Sequence, residues 1–144
     1  MFSLIALPAA ALAMAATYQA PAGTGLDVTF EGVRSARGIL RICLNRNPAH
    51  YPDCGADPQA RKLNVPASRG SVRFDNLPQG SYAITAMHDE NGDGTLNTFL
   101  GVPREGFAFS NNPTVTFGPP SYSRVRFNLG PARGAMRLRF KYFL

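Results

Sequence analysis

Between residues 26 and 142, apolar side chains recur at every second position in short runs, and this period of two limits the chain to a sheet structure. Leu26, Val28 and Phe30 alternate with Asp27, Thr29 and Glu31. Successive side chains of an extended strand point to opposite faces, so such a run buries one face and leaves the other in water. Gly38 to Asn45 (GILRICLN) reads as a second strand, apolar on both faces at Ile39, Leu40 and Ile42, and therefore central. Residues 61–65 suit a short edge strand. Val72 and Phe74 share one face of 71–77, and Tyr82, Ile84 and Ala86 one face of 81–88. Near the end, Val125, Phe127 and Leu129 alternate with Arg124, Arg126 and Asn128. Met136, Leu138, Phe140 and Tyr142 alternate with Arg137, Arg139 and Lys141. The connection LGPARGA carries two glycines and a proline, so these last two strands are expected to form a hairpin.

No run of helical periodicity longer than about two turns follows residue 15. The 14 glycines and 12 prolines supply turns at short intervals. The length of 144 residues suits one domain with one core. The expectation is an antiparallel β-sandwich of Greek-key, transthyretin- or immunoglobulin-like type, with about seven strands over 26–144. An eight-stranded outer-membrane barrel needs strands of about 9–11 residues with an apolar outer band. Five cations on the outward positions of the last two strands argue against it.

The opening MFSLIALPAAALAMAATYQA carries no charge, and Ala13-Met14-Ala15 fits a small-residue cleavage site. Residues 1–15 therefore read as a signal peptide, against the alternative of a membrane anchor, and 16–25 as a linker. The expected location is periplasmic or secreted, with no membrane span after cleavage. Cys43 and Cys54 are the only cysteines, and in an exported protein an even count suggests a disulfide. Two free thiols are the alternative; a zinc site needs more ligands than His50 supplies.

The segment HDENGDGTLNTFLGVPREGFAFSNN (88–112) raises the functional question. Asp89, Asn91, Asp93 and Gly94 fit D-x-[DN]-x-[DN]-G, the first half of a calcium loop, in which alternate oxygens of a tight turn converge on one cation. Thr95 offers a backbone carbonyl, Leu96 pins the loop, and Asn97 fits the ninth place. The twelfth place is Leu100, where a bidentate glutamate is needed; Glu105, beyond the Gly101-Val102-Pro103 turn, is the substitute. Asp89, Glu90, Asp93 and Glu105 are four of nine acidic residues in a chain of net charge +6, so a counter-charge is expected. Calcium is one candidate. The other is a turn built from turn-forming residues, with Arg104 as neutraliser. His88 reads as an organiser of the loop, and as a ligand or general base in the alternative. Gly94 permits the bend. Ser110, Asn111 and Asn112 either tie down backbone or meet a polar ligand such as a sugar, with Phe107 and Phe109 as anchors beside them.

The turn FDNLPQGSYAI (74–84) resembles that of transthyretin-like and carboxypeptidase-regulatory-like sandwiches. Together with His88-Asp89, the Asn91–Gly94 loop, Gly101 to Glu105, Phe109 to Asn112 and FGPPSY, it resembles a bacterial family of small exported proteins catalogued as a domain of unknown function. That resemblance implies secretion and a sandwich and brings no activity; the Cys43–Cys54 insert looks individual.

If 121–129 and 134–142 pair, Arg124, Arg126, Arg137, Arg139 and Lys141 share one face, which suits an anionic partner: an envelope glycan, a lipid or an acidic protein. Nucleic acid is not expected, since few aromatics are placed to stack bases. No G-x-S-x-G, H-E-x-x-H or phosphate loop occurs. The chain therefore reads as a non-catalytic binding or envelope-associated module. The alternatives are a glycan or lipid binder using the basic hairpin, and a hydrolase using His88 with the acidic loop.

Overall fold

A computed structural model of the chain describes residues 16–17, 24–95, 98–99 and 102–144. The expected signal peptide, most of the linker, and Leu96, Asn97, Leu100 and Gly101 of the loop lie outside these. The strands are β1 (Thr24–Glu31), β2 (Ile39–Asn45), β3 (Arg61–Pro66), β4 (Ser71–Leu77), β5 (Gly80–Asp89), β6 (Thr98–Phe99), β7 (Val102–Pro103) and β8 (Gly106–Phe109). After them come a single helical turn α1 (Tyr122–Val125), β9 (Phe127–Leu129) and β10 (Gly134–Arg139).

Two sheets form the sandwich. One runs β10-β1-β4; the other runs β3-β2-β5-β8, with β9 also on β5. Leu26, Val28, Phe74 and Leu138 of the first sheet face Leu40, Leu44, Tyr82 and Ile84 of the second, all essentially without solvent contact. Fully burying an aliphatic or aromatic side chain contributes about 1.5–3 kcal/mol, so these alternating positions are the main source of stability. A second small cluster of Ala83, Phe109 and Val125 covers the outer face of the larger sheet. The LPQG turn closes where Tyr82 Oη donates to the Pro78 carbonyl, and β3 takes the edge position. Among the described residues no helix is long and apolar enough to cross a membrane.

The last two strands do not form a hairpin. β9 pairs with β5, while β10 crosses to the other sheet and runs parallel to β1, with Leu26 opposite Gly134 and Glu31 opposite Arg139. Residues 122–125 coil into a helical turn, which drops Val125 onto the outer cluster. The physical reason is visible in the charges. A hairpin would set arginine against arginine, which is destabilising on a sheet face. The parallel register instead brings Arg137 and Arg139 to Glu31, at 3.7 and 3.3 Å. Arg124, Arg126, Arg137, Arg139 and Lys141 therefore do not share one hairpin face.

The cysteines are joined: Cys43 on β2 and Cys54 lie 5.9 Å apart at Cα. The disulfide fits a protein that folds outside the reducing cytoplasm. Buried Asp57 organises the loop between them and β3, accepting from the backbone N–H groups of Arg46, Asn47 and Gln59 and from the Asn45 amide. Burial pushes its carboxyl up, and these four bonds outweigh that and hold it low.

Candidate functional site, an acidic loop latched by arginine

β5 delivers His88 inward and Asp89 outward at the edge of the core, and both are fully buried. β2 lies alongside, with Leu40 opposite His88 and Ile39 opposite Asp89. The chain enters β2 through Gly38, whose φ is +76°; a Cβ there would sit 2.0 Å from the Asp89 carbonyl oxygen. Only glycine allows this approach.

His88 is committed on both nitrogens. Nε2 lies 2.7 Å from the Arg37 carbonyl, and Nδ1 lies 2.7 Å from Tyr142 Oη. A carbonyl only accepts, so Nε2 carries the hydrogen. Tyr142 Oη accepts from the Arg34 N–H at 3.1 Å and points its own hydrogen at Nδ1. Burial comes first among the influences that raise the Tyr142 phenol pKa.

Asp89 gathers three donors. Oδ1 accepts from Gly92 N–H at 2.9 Å; Oδ2 accepts from Gly94 N–H and from Arg41 Nε, each at 2.8 Å. Burial alone pushes this carboxyl up. The Arg41 bond, the two glycine N–H groups and the Arg41 charge outweigh burial and hold it below the ordinary carboxylate range. Gly94, at φ +75°, supplies the bend the sequence suggested. Glu90 is gripped in the same way: Arg34 Nε donates at 2.7 Å, Ser35 Oγ at 2.9 Å and Arg37 at 3.3 Å. Its carboxyl too is pushed up by burial and is held low by Arg34 first and then by the Ser35 hydroxyl. Arg34 also lies 4.4 Å over the Tyr142 ring and donates to the carbonyls of Arg104 and Leu144.

The exposed tip is a nest of local bonds. Asn91 Nδ2 donates to Asp93, and the Thr95 N–H donates to Asp93 Oδ1 at 2.9 Å. Glu105 is buried at the entry to β8. Among the described residues, no three His, Cys, Asp or Glu side chains are grouped to hold a metal ion.

Beyond β8 the polar residues hold backbone. Ser110 Oγ accepts from Ile84 N–H at 3.0 Å and donates to the Val125 carbonyl. Asn111 donates to the carbonyls of Arg124 and Arg126. Asn112 accepts from Arg139 N–H and donates to the Arg137 carbonyl, at 2.8 and 2.9 Å. Both asparagines have positive φ, at 65° and 45°. The basic residues scatter: Arg124 donates to the Thr114 carbonyl at 2.9 Å, and Lys141 pairs its backbone with Phe107.

The sequence reading missed Arg34, Arg37 and Arg41 as partners of the acidic loop. The signal was there in Arg41, a lone cation inside the apolar run ILRICLN. A charged side chain in a central strand needs a partner.

A two-sheet β-sandwich with a long, side-chain-latched loop at one end defines the class. Residues 28–136 match the model of the family described as an uncharacterized protein conserved in bacteria, DUF2141, and the chain belongs to that family. No curated protein and no solved structure matches it.

Proposed function

We propose that this chain is an exported, non-catalytic binding module. The described residues around His88, Asp89 and Glu90 form a platform held by their own ion pairs and hydrogen bonds, and arginine takes the place of calcium. The observation that carries this reading is Asp89: the first ligand position of the calcium pattern is buried with three donors already on it. A cation there would meet the Arg41 charge and an Oδ2 that already accepts two bonds. The hydrolase alternative loses support because both nitrogens of His88 are used inside the core, out of reach of a substrate proton. Export is supported by the disulfide and by the uncharged apolar run that ends in Ala13-Met14-Ala15. Mass measurement of the protein recovered from the periplasm or medium is expected to place the mature start at Ala16.

Thermal unfolding with millimolar calcium and with chelator is the direct test, and superposable curves are expected. Saturating a site at about 100 times its dissociation constant adds about 2.7 kcal/mol, an easily read shift. A calcium-dependent rise in melting temperature that Asp93→Ala abolishes would replace this reading with the calcium loop.

A further inference from the structure

Phe117 is 97% exposed, the most exposed large hydrophobic side chain among the described residues. It stands at the tip of a braced loop. Pro120 is buried and its carbonyl accepts from Tyr51 Oη at 2.8 Å. Val115 packs on the outer cluster, and Arg124 donates to the Thr114 carbonyl. Gly118, at φ +63°, turns the chain back immediately after the phenylalanine. The base is therefore fixed while the aromatic ring is held out in water. Val115 and Pro113, at the foot of the loop, line a small cleft with Lys141 and the 41%-exposed Phe143. Arg139 also lines this cleft and pairs with Glu31 at 3.3 Å, whereas two other cations at the loop have no acid beside them. The sequence has no acidic residue after Glu105, and among the described residues Arg124, bonded to the loop at Thr114, and Lys141, in the cleft wall, form no ion pair.

From this juxtaposition we infer that the Phe117 loop docks the protein on an anionic phospholipid surface, the ring entering the headgroup layer while Arg124 and Lys141, the two cations tied to the loop, meet phosphates. The inference deepens the binding-module reading by naming the partner, and it uses none of the acidic loop. A stable protein interface buries about 800 Å² per partner around a close-packed core. Here single aromatic side chains project among cations, which suits the membrane–water boundary, where aromatic rings settle and each lysine or arginine adds attraction to anionic lipid.

The chain has no tryptophan, so Phe117→Trp makes a single reporter. With vesicles of phosphatidylcholine containing phosphatidylglycerol, its emission is expected to shift to the blue and to be quenched by brominated acyl chains. Pure phosphatidylcholine vesicles should leave it unchanged. In co-sedimentation, Phe117→Ser should weaken binding about tenfold. Lys141→Gln, which removes a charge and no brace of the loop, should weaken it about fivefold. All are surface changes, and unaltered melting temperatures confirm that each variant is folded. Absence of binding to anionic vesicles, binding indifferent to Phe117→Ser, or equal binding to neutral vesicles would each overturn the inference. So would self-association in sedimentation velocity that Phe117→Ser abolishes, which would give the ring to a second copy of the chain. None of these outcomes touches the latched-loop reading, which stands or falls on the calcium titration.

Discussion

Asp89 stays charged out of water because Arg41 and two glycine N–H groups replace its hydration. Arg41→Ala leaves that charge buried with backbone donors alone. Breaking a buried pair costs about 3–5 kcal/mol. Arg41 is 29% exposed, so the lower end is expected, read as a fall in denaturant midpoint. The pH dependence follows from the sign. Asp89 and Glu90 both have depressed carboxyl pKa values in the folded chain. Their contribution is complete above the unfolded values of about 3.9 and 4.3 and is lost as pH falls through the lower folded values. Melting temperature should hold from pH 7 to 5 and drop below about 4, and Arg41→Ala should flatten that drop. Tyr142→Phe removes the hydroxyl between Arg34 and His88 and leaves Nδ1 unpaired in the core, at a cost of about 1–3 kcal/mol. At this scale the sequence was half legible. The acids announced a need for counter-charge, but Arg34 and Arg37 sit more than fifty positions from Glu90, and only the pairing of β2 with β5 brings them there.

Elements in this molecule are fastened by side chains placed in loops. Ser110 bridges β5 and the end of α1, so Ser110→Ala strands the Ile84 N–H and the Val125 carbonyl. A loss of about 1–3 kcal/mol is expected by chemical denaturation. The disulfide closes a loop of separation 11, and Cys43→Ser with Cys54→Ser should cost up to about 3 kcal/mol on the chain-entropy account. Strand faces were legible from alternation: Val28, Phe74, Ile84 and Leu138 all point where their period places them. Strand neighbours were not. Alternation says which face is wet and nothing about which edge is adjacent, so LGPARGA passed for a hairpin turn when it is a crossover between sheets. Asn112, bonded along the free edge of β10, is a tie that only tertiary structure reveals.

The whole sandwich depends on its final strand. β10 covers one edge of β1 and contributes Leu138, with Phe140 just beyond, to the shared core. Ending the chain at Gly130 removes both side chains and a full ladder. Deleting large core side chains costs about 2–5 kcal/mol each against a total stability of about 5–15 kcal/mol. Such a chain should lack near-ultraviolet dichroism and dispersed amide resonances. The single Leu138→Ala change should leave it folded but weaker by about 2–5 kcal/mol.

The same parallel pair gives the molecule a mechanical direction. Leu26 and Arg139 mark opposite ends of six rungs, separated by about 17 Å at strand rise. Tension drawn between handles fixed at those two points runs along the strands, so it loads every rung together instead of peeling them singly. Pulled that way, the fold is a shear clamp; pulled across the sheet, it would unzip.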